Sequence, residues 1–197
     1  RLASFPSVTS TLLPGLLRDF KRLHPGIVVV ILEGSDEEVE EWLAADTVEL
    51  GVVMNPDPGR ADVVLGQDAW VAVLPAAHRL AHHARTYGIT LKALADQPFI
   101  LATGGCVVNG KSLMEKAGLQ LSDIRVTVRD WISACKLVAE GMGVALVPES
   151  ALPEALRNLC VVPVTPAIHR EFRLVCSSSG TSSGATQALL NALRKRG

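Results

Sequence analysis

WISACKLVAEGMGVALVPES, residues Trp131–Ser150, is the stretch whose reading decides the fold. Ile132, Cys135 and Val138 recur at a three-residue step, with Trp131 and Ala134 beside them, so this half reads as a helix buried over much of its circumference. Asp130 stands where an N-cap belongs, and Gly141 where a left-handed C-cap belongs. Gly143 lets the chain turn back closely against the helix. Val144, Ala145, Leu146 and Val147 then form an unbroken apolar run, as in a strand covered on both faces, and Pro148 ends it. Helix, glycine turn and buried strand in succession predict an α/β fold with a parallel sheet.

Outward from this unit the same alternation appears twice. Before it, Phe99–Leu101 reads as a strand, Thr103-Gly104-Gly105-Cys106 as a turn, Ser112–Ala117 as a helix and Ile124–Val128 as a strand. Earlier still come a strand at Arg1–Ser4, a turn at Phe5-Pro6-Ser7 and a helix from about Ser10 to Leu23. Leu12, Leu13, Leu16, Leu17, Phe20 and Leu23 form the apolar stripe of that helix, and Pro14 is allowed only in its first turn. Ile27–Leu32 reads as a β-branched strand. Ser35 and Glu38 make a capping box opening an acidic helix with Val39, Trp42 and Leu43 inward, and Leu50–Met54 is a third strand. Val63–Leu65 and Trp70–Leu74 read as separate strands, Leu91–Ala95 as a short helix and Ser150–Leu156 as another. Strands at Cys160–Val164 and Phe172–Cys176, a polar loop at Ser177–Gly184 and a helix at Ala185–Arg194 complete the chain. The expected organisation is two Rossmann-like subdomains, residues 1–73 with 165–197 and residues 74–164, crossed twice by the chain so that a cleft opens between them.

Composition narrows the function. At 197 residues and 48% hydrophobic, the chain has ample core for such a fold. A net charge of -1 speaks against a basic face for nucleic acid, and no apolar run approaches a membrane span, so contact with a membrane is not expected. The four cysteines, Cys106, Cys135, Cys160 and Cys176, have no metal-ligand spacing. Cys135 and Cys176 fall in core patterns. His78 and His82 are four apart, but no third ligand is fixed near them; neither metal nor cofactor is expected. No Ser/His/Asp order or carboxylate pair forms a catalytic motif, so no enzyme is expected. A cytoplasmic setting is expected.

Several pieces resemble one family in order. SVTSTLLPGLLRDFKRLHPG (residues 7–26), VVVILEGSDEEVEEWL (28–43) with ELGVV (49–53), VAVLPAAHRLA (71–81) and LVAEGMGVALVPES (137–150) are similar to successive parts of the effector-binding domain of LysR-type transcriptional regulators. The resemblance runs over essentially the whole chain. It implies the two-subdomain fold of periplasmic solute-binding proteins (type 2) and a small-molecule effector, an organic acid or amino acid, in the cleft. It further implies a homodimer or higher homo-oligomer, in which Leu13, Leu16, Leu17 and Phe20 belong partly to the interface. DNA would be bound only through an N-terminal winged helix-turn-helix, which this sequence does not contain.

An anion site needs hydroxyls and N–H groups near helix starts. The candidate contacts are Ser4, Ser7 and Ser35, then Thr103, Gly104, Gly105 and Cys106, then Arg129 and Asp130. Ser7 matches the position at which family members hold effector carboxylates, and Arg129 suits a carboxylate bidentately. Capping alone accounts for Ser35. The peroxide-sensing branch of the family places a reactive cysteine near the position of Cys106, but here Gly104-Gly105 precedes it without a histidine, and Glu115 stands nine residues on. A thiol redox sensor using Cys106, and a solute-binding protein of a transporter, are the alternative functions.

Overall fold

The computed structural model describes residues 1–57, 59–60 and 63–194. The chain divides into two compact units, Arg1–Gln67 with Arg170–Gly197, and Asp68–His169. The sequence reading places the crossings at 73/74 and 164/165.

The first unit opens with β1 (Leu2–Ser4), α1 (Pro6–Thr11) and α2 (Leu13–Leu23). One helix from Ser10 was expected. Two form because Pro14, at the second position of α2, has no N–H to continue the ladder. The expected turn at Phe5-Pro6-Ser7 is instead the start of α1, with Pro6 at its first position. β2 (Ile31–Glu33) is shorter than the expected strand, and Val28 and Val30 before it are 79% and 52% exposed. α3 (Asp36–Ala44) carries the predicted capping box: Glu38 N–H donates to Ser35 Oγ at 3.1 Å, and Ser35 N–H to Glu38 Oε2 at 2.7 Å. β3 (Leu50–Met54) is as expected.

β4 (Val63–Pro75) runs as one strand through Gly66-Gln67-Asp68, where a break was expected, and the boundary between units falls within it. The second unit continues with α4 (Ala81–Tyr87), α5 (Leu91–Ala95), β5 (Pro98–Ala102) and α6 (Gly110–Lys116). Then follow β6 (Asp123–Val128), α7 (Trp131–Ala139), β7 (Ala145–Pro148) and β8 (Leu159–Pro163). The expected helix at Ser150–Leu156 is only a 3-10 turn over Glu149–Ala151. Pro153 holds Leu152 extended (φ -66°, ψ 144°) and stops it. β9 (His169–Cys176) and α8 (Gly184–Arg194) complete the first unit.

The sheets are mixed rather than parallel. In the first unit β1 lies parallel to β2 and β3, while β9 runs antiparallel to β3. In the second, β4 is antiparallel to both β7 and β8, whereas β5 and β6 are parallel. β7 is a covered strand, as its apolar run implied, but burial on two faces does not fix strand direction.

Each unit has its own core. In the first, Leu2, Phe5, Val8, Leu13, Leu16, Phe20 and Leu174 are buried, and Phe5 packs at 5.7 Å on Phe172. In the second, Trp70, Phe99, Ile100, Met114, Val138 and Leu146 are buried, and Trp70 meets Trp131 edge-on at 5.6 Å. Gly141 adopts φ 77° after α7. Gly143 lies so close to β5 that a Cβ there would sit 2.5 Å from the Pro98 carbonyl oxygen. Val144 N–H donates to that same oxygen at 2.8 Å, and Ile100 N–H donates to Val144 O at 2.8 Å.

Because the Pro98 carbonyl is backbone and cannot swing aside, Gly143→Ala should cost about 2 kcal/mol, measured as a lowered denaturant midpoint. His78 Nδ1 accepts the Leu80 N–H at 3.3 Å, and burial, then the Arg79 charge, holds its pKa below the ordinary 6.5. The stability it contributes is complete above pH 6.5 and disappears as pH falls through the lower folded-state value. Unfolding measured across that acid range should show a pH slope that His78→Gln reduces.

Candidate functional site

The three candidates of the first unit lie close in the fold. Ser4, fully buried at the end of β1, pairs in register with Glu33, and its carbonyl accepts the Gly34 N–H at 3.0 Å. That places Ser4 beside the turn leading to Ser35. The hydroxyls read from sequence as available donors are mostly used inside α1. Thr9 Oγ1 donates to Phe5 O, Ser10 Oγ to Pro6 O at 2.9 Å, and Thr11 Oγ1 to Ser7 O at 2.6 Å. Ser4 Oγ reaches Phe5 O at 3.4 Å. Ser7, 8% exposed, is the hydroxyl of this segment not committed to a carbonyl in this way. Ser35 is occupied by capping, and Asp36, Glu37 and Glu38 already place negative charge on the first turn of α3.

The six candidates of the second unit form one assembly. Thr103 N–H donates to Val128 O at 3.1 Å and Gly104 N–H to Arg129 O at 2.8 Å, which ties the turn after β5 to the end of β6. Within the turn, Gly105 N–H donates to Thr103 Oγ1 at 3.2 Å and Cys106 N–H to Thr103 O at 3.0 Å. Gly104 and Gly105 have φ of 64° and 74°, a backbone that side chains rarely adopt. Space requires glycine as well. A Cβ on Gly104 would lie 2.2 Å from the Trp131 ring, and one on Gly105 would lie 2.7 Å from Arg129 Nε. The Arg129 guanidinium is therefore laid against Gly105, and Arg129 and Asp130 are exposed.

Asp130 caps α7, accepting the Ser133 N–H at 2.7 Å. Partial burial works to raise its carboxyl, but bonds from Ser133 and from the Ile132 N–H outweigh that and leave it below the ordinary range. Cys106 is half-buried, with Sγ 3.7 Å from Gly104 O. Cys135 and Cys160 are buried, Cys176 is half-buried, and burial, with Asp130 nearby, pushes the Cys135 thiol up to about 11.

Sequence reasoning missed Asn109. Its Oδ1 accepts the N–H groups of Lys111 (3.0 Å) and Ser112 (3.4 Å) at the start of α6, and its Nδ2 donates to Cys106 O and Val107 O. The signal was an asparagine with serine three residues on, ahead of an apolar stretch; placing the helix start at Ser112 hid it. Among the described residues, no group of three His, Cys, Asp or Glu side chains could hold a metal ion. No helix of the described residues is long and apolar enough to cross a membrane. A separate groove of about 690 Å³ runs between α2 and α8 and touches none of the nine candidates.

A family model described as LysR substrate binding domain matches residues 1–197. The chain is 27% identical over 194 residues to an uncharacterised HTH-type transcriptional regulator of Bacillus subtilis, YvbU, covering 96% of this chain and 64% of that protein. Among solved structures, the Synechocystis CcmR regulatory domain in complex with 2-PG superposes with a TM-score of 0.81 at 20% identity, covering 100% of this chain and 95% of that one. The BenM effector binding domain with its effector benzoate gives a TM-score of 0.79 at 22% identity, covering 99% and 90%. The mixed α/β architecture is therefore the type 2 periplasmic-binding-protein-like fold of those domains, and the chain belongs to the LysR substrate binding domain family.

Proposed function

We propose that the chain is the sensor of a transcriptional regulator and binds a small metabolite bearing a carboxylate, an organic acid or amino acid. The observation that carries this reading is the assembly in the second unit. A glycine turn, an arginine laid against it and the capped start of α7 place a guanidinium, a hydroxyl and a thiol together. A guanidinium offers paired donors to a carboxylate and loses none of its charge at neutral pH. Effector contacts come from Thr103, Gly104, Gly105, Cys106, Arg129 and Asp130 of this unit. Benzoate, named as the effector of the similar BenM domain, is a small carboxylate.

The wider protein binds DNA through an N-terminal winged helix-turn-helix. Effector binding shifts the balance between its conformations by differential affinity, and so alters transcription. The chain spans 64% of the length of the YvbU relative, which leaves room in such a regulator for a further domain.

The protein works as a homodimer in the cytoplasm. Exposed apolar side chains of the first unit support the dimer. Of the four side chains expected to belong partly to the interface, Leu13, Leu16 and Phe20 are buried in the first unit and Leu17 is half-buried. Leu23 is 67% exposed, and with Val28 and Val30 it supplies exposed apolar surface at the end of α2 and the approach to β2.

Thermal unfolding with benzoate, other small carboxylates, amino acids and neutral sugars tests the ligand class. A carboxylate should raise Tm in a concentration-dependent way, and Arg129→Met should weaken its binding about tenfold or more. Stabilisation by neutral sugars alone, indifferent to Arg129→Met, would reject the reading. For assembly, sedimentation should find a dimer that Val28→Glu with Val30→Glu converts to monomer with its secondary structure, measured by circular dichroism, retained. Equal sedimentation of the two proteins would remove these valines from the interface.

A further inference from the structure

The turn from Thr103 to Val107 is fastened at its first residues to the end of β6, through Val128 O and Arg129 O. Its last residues meet Asn109. From one extended position (φ -147°, ψ -177°), the Asn109 side chain faces two ways. Its oxygen accepts the first N–H groups of α6, and its nitrogen donates to Cys106 O at 3.0 Å and Val107 O at 3.1 Å. The helix it caps is held in the core: Met114 is fully buried, and a Cβ on Gly110 would meet the Phe99 ring at 3.4 Å.

We propose that Asn109 is the positioning residue of the candidate effector site, clamping the Cys106–Val107 end of the turn to a buried helix. The clamp sets both the order of the turn and the access of reagents to the Cys106 thiol. Chemistry singles out asparagine here, because the side chain must accept from amides on one side and donate to carbonyls on the other. Aspartate keeps the cap and turns the donor into an oxygen facing two carbonyl oxygens. Serine keeps the cap and is too short to serve both sides. The role in effector binding rests on the function proposed above; the clamp itself does not.

The test compares Asn109→Asp and Asn109→Ser with Ser112→Ala, a change that cuts the other half of the same capping box and leaves the clamp whole. Alkylation by iodoacetamide is followed at each cysteine by peptide mass spectrometry, with half-buried Cys176 as the internal reference, and amide hydrogen exchange is followed over 104–107. No effector is present. Both Asn109 variants should raise Cys106 alkylation and turn exchange about tenfold while Cys176 stays constant, and Ser112→Ala should change neither. An unchanged Cys106 rate in both Asn109 variants, or an equal rise in Ser112→Ala, would overturn the clamp. Binding of a carboxylate, measured separately, decides the function proposed above without bearing on that result.

Discussion

The second unit is built on one close approach, that of Gly143 to the carbonyl of Pro98. With no Cβ in the way, the chain leaving α7 can lie against β5, and the Pro98 oxygen accepts the next N–H, that of Val144. Ile100 returns a bond to Val144 O, so the start of β7 is stitched to β5. β7 then pairs along β4, and β8 joins the other side of β4. Because β5 is fixed between this contact and β6, the turn at its end and the cap of α7 after β6 emerge side by side. The chemistry of the candidate site is a consequence of where β5 and β6 end.

Much of this is legible in the chain. Periodic apolar residues and cap residues determine α3, α5 and α7 locally, and the Ser35–Glu38 box forms as the spacing demands. Glycines 141 and 143 act where their positions imply. Misreadings arise where a local signal competes with something distant. A run such as Val144–Val147 reports burial, but the directions of its neighbours depend on strands far away in sequence, which is why a parallel sheet was expected where β4 and β7 are antiparallel. Gly66-Gln67-Asp68 resembles a turn, yet β4 continues through it. Pro153 was a local signal given too little weight, and the helix it forbids is absent.

For the candidate site, the sequence supplied residue types and their grouping. Thr103, Gly104 and Arg129 are joined by backbone bonds that no spacing rule reveals. The hydroxyl-rich segment near Ser7 illustrates the opposite case. Composition offered many donors, but inside α1 a hydroxyl four residues beyond a carbonyl turns back onto it, so Thr9, Ser10 and Thr11 serve their own helix. Asn109 escaped notice because its importance lies in facing two elements at once, and that property belongs to the fold.

The contact of Gly104 with Trp131, and of Gly105 with Arg129, bears on how this domain can diverge. A side chain at 104 needs the space the indole ring fills, and one at 105 needs the space of the guanidinium. Drift at either position is therefore coupled to its partner across the gap between β5 and α7. A relative that gains a side chain at 104 is expected to carry a smaller residue in place of the tryptophan, and in losing that ring it would also lose the edge-on packing with Trp70. Selectivity for a new ligand would then be reached by paired replacements, with each single step passing through a less stable intermediate sequence.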